Sequence, residues 1–151
     1  MPSSEKPATL PVSSDFAYLL SLETRWADND QYGHLNNAVY YQLFDTVINR
    51  FLLSHQLVDP ARGGEIFVVA ETGCQFFSEV AYPEQLQIGL SLSHIGTSSL
   101  RYQLGLFNST QDTACATGFF VHVRINRQTR KPVPLTAEMK AVLRRYSAAA
   151  G

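Results

Sequence analysis

Between Asn37 and Ser54 the apolar residues Val39, Tyr40, Leu43, Phe44, Val47, Ile48, Phe51 and Leu52 recur at intervals of three and four. That spacing predicts one long helix with a wide apolar face. After it the pattern changes to period two. Leu86, Ile88, Leu90 and Leu92 alternate with polar or small residues, and so do Leu100, Tyr102, Leu104 and Leu106. A sheet built from such strands must cover its apolar face, and the single long helix is the element large enough to do it. Strands are expected over 16–27, 66–80, 84–95, 99–107 and 113–125, with an irregularity at Gly73 in the second. A short terminal helix is expected over 136–147, capped by Thr136. The connections "AYPE", "GTSS" and "NSTQD" are short, which predicts an antiparallel meander through the last four strands. The expected fold class is α+β, one long central helix wrapped by a five-stranded antiparallel sheet. Its open edges favour pairing with a second copy.

The length of 151 residues suits one domain over 16–151, preceded by a loose Ser- and Pro-rich tail over 1–15. A net charge of -1 gives no electrostatic case for nucleic acid or an anionic membrane. No apolar run is long enough to span a bilayer. The first residues lack a basic flank followed by an apolar block, so a cytoplasmic location is expected. Cys74 and Cys115 show neither metal spacing nor a disulfide framework, and read as small buried side chains. His55, His94 and His122 have no partners at metal-ligand spacing, so surface or half-buried structural roles are expected. No metal or bound cofactor is called for.

The polar run "WADNDQYGHLNN" stands immediately before the long helix. A helix entrance carries N–H groups without intrahelical partners and the positive end of the helix dipole. Asp30 there could cap a turn or offset the dipole, or could serve as a base or nucleophile. Asp28 reads as a loop-holding carboxylate. Gly33 suits a tight backbone position, and Asn36 and Asn37 suit helix capping.

Asp28, Asp30, Gly33, His34, Asn36, Asn37 and Tyr40 together resemble the D-x-D-x-x-G-H-x-N-N-x-x-Y signature of hotdog-fold acyl-CoA thioesterases. The closest branch is the 4-hydroxybenzoyl-CoA thioesterase-like group. The element order resembles that fold from about Phe16 to Tyr146. The resemblance implies hydrolysis of an acyl-CoA thioester, with Asp30 as nucleophile or general base. It implies an oxyanion donor at the backbone N–H of Asn37, and a role for His34 in catalysis or in orienting the loop. Gly33, Asn36 and Tyr40 would bound the substrate. Two departures matter. The aromatic hydrolase that typifies the group has apolar or aromatic residues at the positions of His34, Asn36 and Asn37, so its substrate does not carry over. Many relatives carry E-x-A-R in the helix where this chain has Asp45 to Asn49, so that ion pair is absent or moved to Arg50.

In this fold coenzyme A rests its nucleotide on the surface and threads its pantetheine between subunits. Phosphates favour cations or clustered N–H groups. The candidates are the turn from Gly96 through Thr97 and Ser98 to Ser99, and the basic run Arg124, Arg127, Arg130 and Lys131. Coenzyme A enters as part of the substrate, and the implied assembly is a homodimer or a homotetramer built from two. Two alternatives stand beside acyl-CoA hydrolysis. One is an acyl-carrier-protein substrate, and the other a module that binds acyl thioesters without cutting them. A hydratase is disfavoured, because "GHLNN" lacks the Asn-Pro-x-His arrangement of that branch.

Overall fold

The computed structural model describes residues 9–148. In chain order the elements are β1 (Tyr18–Glu23), α1 (Asn37–Ser54), β2 (Glu65–Phe76), β3 (Gln85–Ile95), β4 (Ser99–Phe107), β5 (Ala116–Asn126) and α2 (Ala137–Arg144). The five strands form one antiparallel sheet in the order β1-β3-β4-β5-β2. This is the α+β hotdog arrangement of one long helix on a five-stranded sheet. Phe44, Val47, Ile48, Phe51 and Leu52 of α1 are buried with Leu90, Leu100, Tyr102, Leu104 and Leu106 of the sheet in one core. The approach is close. A Cβ at Gly118 of β5 would stand 2.7 Å from the Phe44 ring, so only glycine lets the helix sit this near the strand. Thr136 caps α2 as expected, its hydroxyl accepting the N–H of Met139 at 3.1 Å.

The topology departs from a four-strand meander. β3, β4 and β5 follow one another as hairpins, but β2 lies at the far edge against β5 and does not pair with β3. "AYPE" does turn, with the Glu84 N–H on the Ala81 carbonyl at 2.9 Å, yet it is part of a crossover and not a hairpin. Turn residues report a local change of direction. They carry no information on which strand the chain joins next. The crossover brings residues 77–80 past the start of α1, where the Leu35 N–H donates to the Val80 carbonyl at 2.7 Å.

Element ends also shift. β1 is shorter than the expected 16–27, because carboxylates close a 3₁₀ turn on either side of it. Asp15 accepts the Val12 N–H at 2.9 Å over Ser13–Asp15, and Asp28 accepts the Arg25 N–H at 2.8 Å over Trp26–Asp28. β2 ends at Phe76, since the N–H groups of Phe77 and Ser78 both turn to the Cys115 carbonyl. Its register shift falls between Val69 and Glu71 and not at Gly73. Gly73 keeps register and makes room for the Phe119 ring instead. β5 starts at Ala116 because Thr113 is held by Val12 in an isolated bridge. Of the expected loose tail, residues 1–8 lie outside the described residues. The rest is docked: the Ala114 N–H donates to the Pro11 carbonyl at 2.9 Å, and Phe16 packs edge-on against Phe107 at 5.9 Å. No helix among the described residues is long and apolar enough to cross a membrane.

Candidate active site

The loop between Asn29 and Leu35 folds back on itself, and these two residues form an isolated antiparallel bridge. Inside it the Asp30 N–H donates to the His34 carbonyl at 2.8 Å, and the Gly33 N–H donates to the Asp30 carbonyl at 3.1 Å. Gly33 has φ +81, a left-handed conformation that a side chain would strain, which accounts for glycine at this point. Oδ1 of Asp30 accepts the Tyr32 N–H at 2.8 Å and lies 3.4 Å from the His34 N–H. Oδ2 has no partner among the described residues. One carboxylate oxygen is thus held by backbone and the other is free.

Asp28 anchors the loop from behind. Its carboxylate is buried and accepts the Arg25 N–H at 2.8 Å and the Arg25 guanidinium at 2.8 and 3.1 Å. The nearby carboxylate raises the Arg25 pKa in turn, through the hydrogen bond first and charge second. The Asp28 carbonyl accepts the Asn36 N–H at 2.9 Å. Asn36 is the N-cap of α1, with its Oδ1 on the Ala38 N–H at 2.9 Å, while the Val39 N–H bonds the Asn36 carbonyl. Asn37, the first helical residue, is left with a backbone N–H that has no partner among the described residues.

These groups open onto a groove of ≈ 420 Å³. Asp30, His34, Asn37 and Tyr40 line it together with Phe76 at the end of β2 and Phe77 to Glu79 of the crossover. Tyr40 and Phe76 meet edge-on at 4.9 Å and form its apolar wall. Burial pushes the Tyr40 hydroxyl up to about 12, so it stays protonated in the neutral range. His34 Nε2 lies 3.1 Å from Oε2 of Glu79. The sequence reading missed Glu79 and Phe76. No spacing links them to the motif, because long-range packing brings them there: Phe76 at the end of β2 and Glu79 on the crossover. Asp45 of α1 is half-buried, which raises its pKa, and its carboxylate accepts from Asn49 and makes no ion pair with Arg50.

The sequence-predicted site divides in two. Asp30, Gly33, His34, Asn36, Asn37 and Tyr40 cluster at the start of α1. Gly96, Thr97, Ser98 and Arg127 lie elsewhere in the chain. The Ser98 carbonyl accepts the Arg124 N–H and the Thr97 carbonyl the Leu135 N–H, both at 2.8 Å. Arg127 bonds the Pro60 carbonyl at 3.1 Å through its guanidinium and the Gly64 carbonyl through its N–H. These contacts belong to the Glu65 end of β2, while the groove is at the Phe76 end. A strand of 12 residues separates its ends by roughly 35 Å. A second cleft of ≈ 540 Å³ lies at that far end, between Leu53 and Arg124. Of the remaining histidines, His122 is buried outright and not half-exposed, and its ring stacks on Phe67. Cys115 is buried and Cys74 half-buried, both free, and burial raises both thiols. Among the described residues, no three His, Cys, Asp or Glu side chains gather as a metal would need.

The chain is 36% identical to the PA5185 protein of Pseudomonas aeruginosa strain PAO1, whose crystal structure superposes with a TM-score of 0.90 over 95% of this chain and 100% of that one. It is 26% identical over 130 residues to the YsmA protein of Bacillus subtilis strain 168, covering 86% of this chain and 87% of that protein. A 1,4-dihydroxy-2-naphthoyl-CoA thioesterase from Synechocystis, Slr0204, superposes with a TM-score of 0.76 at 16% identity, over 83% of this chain and 94% of that one. At that identity the likeness is one of fold. The family profile described as the thioesterase-like superfamily matches residues 24–143, which span the groove, the long helix and strands β2 to β5, and the chain belongs to that superfamily.

Proposed function

We propose that this chain hydrolyses an acyl-CoA thioester to the free acid and coenzyme A. Superfamily membership supports thioester hydrolysis. The observation that carries the finer reading is the free Oδ2 of Asp30 in the same groove as the free N–H of Asn37. A thioester carbonyl seated over the first turn of α1 would place its oxygen on that N–H, where the positive dipole end favours developing negative charge. In the general-base form, Oδ2 takes a proton from water and the water oxygen bonds the carbonyl carbon. The C–S bond then breaks, and the thiolate leaves with the proton that Asp30 took. In the nucleophilic form, Oδ2 attacks the carbon itself and the C–S bond breaks, releasing the coenzyme A thiolate and leaving an anhydride with Asp30; water then cleaves that anhydride to the free acid and the Asp30 carboxylate, and a proton from this water neutralises the thiolate. Gly33 lets the loop close beside the substrate, Asn36 holds the donor in place, and Tyr40 with Phe76 offers an apolar wall to the acyl group.

The exposed edge of β2 supports assembly as a homodimer, or as a homotetramer built from two. Val69 and Phe76 on this edge strand are 47% and 44% exposed, and the edge offers unpaired backbone groups. In such an assembly, Gly96, Thr97, Ser98 and Arg127 would serve coenzyme A bound at a neighbouring protomer's groove.

A second reading, hydrolysis of an acyl group on an acidic carrier protein, has one observation behind it. Seven of the 12 Lys and Arg residues fall between Arg124 and Arg145, with Glu138 the one acid among them. Such a concentration of positive charge would attract an acidic partner. The test is thiol release from a panel of acyl-CoAs, wild type beside Asp30→Asn. The expected result is activity in wild type and a loss of about a thousandfold in the variant. Equal activity in both would remove Asp30 from the mechanism. Silence on every acyl-CoA, with cleavage of a carrier-bound acyl group, would establish the second reading. Retention of intact acyl-CoA by the wild type would make the chain a binding module.

A further inference from the structure

Glu79 lies outside the motif, and no step of the proposed reaction uses it. It nevertheless ends in the groove beside the one imidazole there, with Oε2 3.1 Å from His34 Nε2. The surroundings of this pair are built and not incidental. The backbone of His34 is tied to Asp30 through its carbonyl at 2.8 Å. The next residue, Leu35, donates its N–H to the carbonyl of Val80, the residue that follows Glu79, at 2.7 Å. Leu35 and Val80 are both core residues. The two side chains therefore rise from neighbouring points on two segments clamped together by a buried backbone bond. The side chains themselves are open to water, His34 42% and Glu79 78% exposed. An ion pair that exposed adds little to stability. What it can do is fix a ring that would otherwise turn freely about its terminal torsion.

The direction of the bond has a chemical consequence. A carboxylate offers only lone pairs, so Nε2 carries the hydrogen and donates it to Glu79. In the neutral ring the lone pair is then on Nδ1, which has no hydrogen bond among the described residues. Asp30, whose Oδ2 also has no hydrogen bond among the described residues, lines the same groove. A water molecule has two hydrogens and, with both engaged by acceptors, turns a lone pair outward.

We propose that Glu79 is a positioning residue that holds the His34 imidazole by Nε2, so that Nδ1 and Asp30 Oδ2 together orient the water that attacks the acyl carbon. The proposal rests on the thioester-hydrolysis reading above. His34 only accepts a hydrogen bond in this step. The proton that moves goes from water to Asp30 Oδ2 and leaves on the thiolate, so the balance of the reaction is unchanged.

The test uses the full chain with Glu79→Ala, Glu79→Gln, His34→Ala and the Glu79→Ala/His34→Ala pair. The first readout is NMR relaxation of the His34 ring resonances without substrate. His34→Ala assigns those signals. The ring is expected to be as rigid as the backbone in wild type and mobile in Glu79→Ala. The second readout is steady-state hydrolysis of an acyl-CoA that the wild type cleaves. Glu79→Ala is expected to lower kcat about tenfold with KM held within about twofold. Glu79→Gln, which keeps an acceptor oxygen, is expected to recover part of that loss. The pair is expected to be no slower than His34→Ala alone. A ring equally ordered in wild type and Glu79→Ala overturns the proposal, and so do additive losses in the pair. If no thioester is cleaved by wild type, the hydrolysis reading has failed, and the relaxation data still decide whether Glu79 holds His34.

Discussion

The Tyr102 hydroxyl and Nδ1 of His122 lie 3.1 Å apart in the buried layer between β4, β5 and α1. The His122 ring is sandwiched against Phe67, edge-on to Tyr102, and 3% of the residue is exposed. Burial disfavours the charged ring and pushes its pKa down from 6.5 to about 4. Between those values the unfolded chain binds the proton that the folded chain refuses. Stability from this site is complete above about 6.5 and falls as pH drops toward 4. The loss at pH ~4.5 should be roughly 2–3 kcal/mol. Urea titrations of wild type and His122→Gln at several pH values would check it. Gln keeps a polar partner for Tyr102 but cannot charge, so the variant's loss of stability between neutral pH and pH ~4.5 should be smaller by about that amount. Parallel slopes would mean that the ring is not the acid-sensitive group.

Phe16 makes the sheet's outer face intolerant of a methyl group. A Cβ at Gly89 would stand 2.5 Å from the Phe16 ring, and one at Gly105 would stand 2.7 Å from it. Gly89→Ala should therefore destabilise the fold by about 1–3 kcal/mol, the usual cost of overpacking. In a Phe16→Ala background the same change should cost far less. Chemical denaturation of the four proteins in this cycle gives the coupling directly. Equal costs in both backgrounds would show that the ring does not cover these strands in solution.

The two predictions rest on features that the sequence shows unequally. The α1 stripe was legible because a helix face repeats locally, and all its expected residues are buried except the half-buried Leu43. The alternation in β3 and β4 was legible for the same reason. The position of β2 at the sheet edge was not, because strand order is set by long-range packing and the "AYPE" turn reads alike in a hairpin or a crossover. The site divides on the same principle. Asp30, Gly33, His34 and Asn36 are bonded within one loop, so a contiguous motif can signal them. Glu79 reaches the groove through the crossover and Phe76 through the placement of the β2 end, both long-range effects. Phe16 reads as the first residue of a strand from composition, and only the structure shows it capping a turn and lying across two glycines.

The last prediction separates the two halves of the Arg25–Asp28 contact. Asp28 accepts three N–H groups from Arg25, one from the backbone and two from the guanidinium. The guanidinium is largely exposed, so its charge is screened by water, whereas the backbone N–H closes the 3₁₀ turn beside the active loop. Arg25→Ala should leave stability and kcat close to wild type. Asp28→Ala removes the acceptor of the turn and should cost about 1–2 kcal/mol. The effect should also reach catalysis, since the Asp28 carbonyl holds the N–H of Asn36, and Asn36 caps the helix whose first N–H faces the substrate. A loosened turn moves that donor, so kcat should fall by about tenfold while KM changes less. Asp28→Asn keeps one acceptor oxygen and should lie between. Thermal melts and thiol-release kinetics on the three variants supply both numbers. If Arg25→Ala proves as damaging as Asp28→Ala, the guanidinium and not the turn is what holds Asp30 in register with the helix.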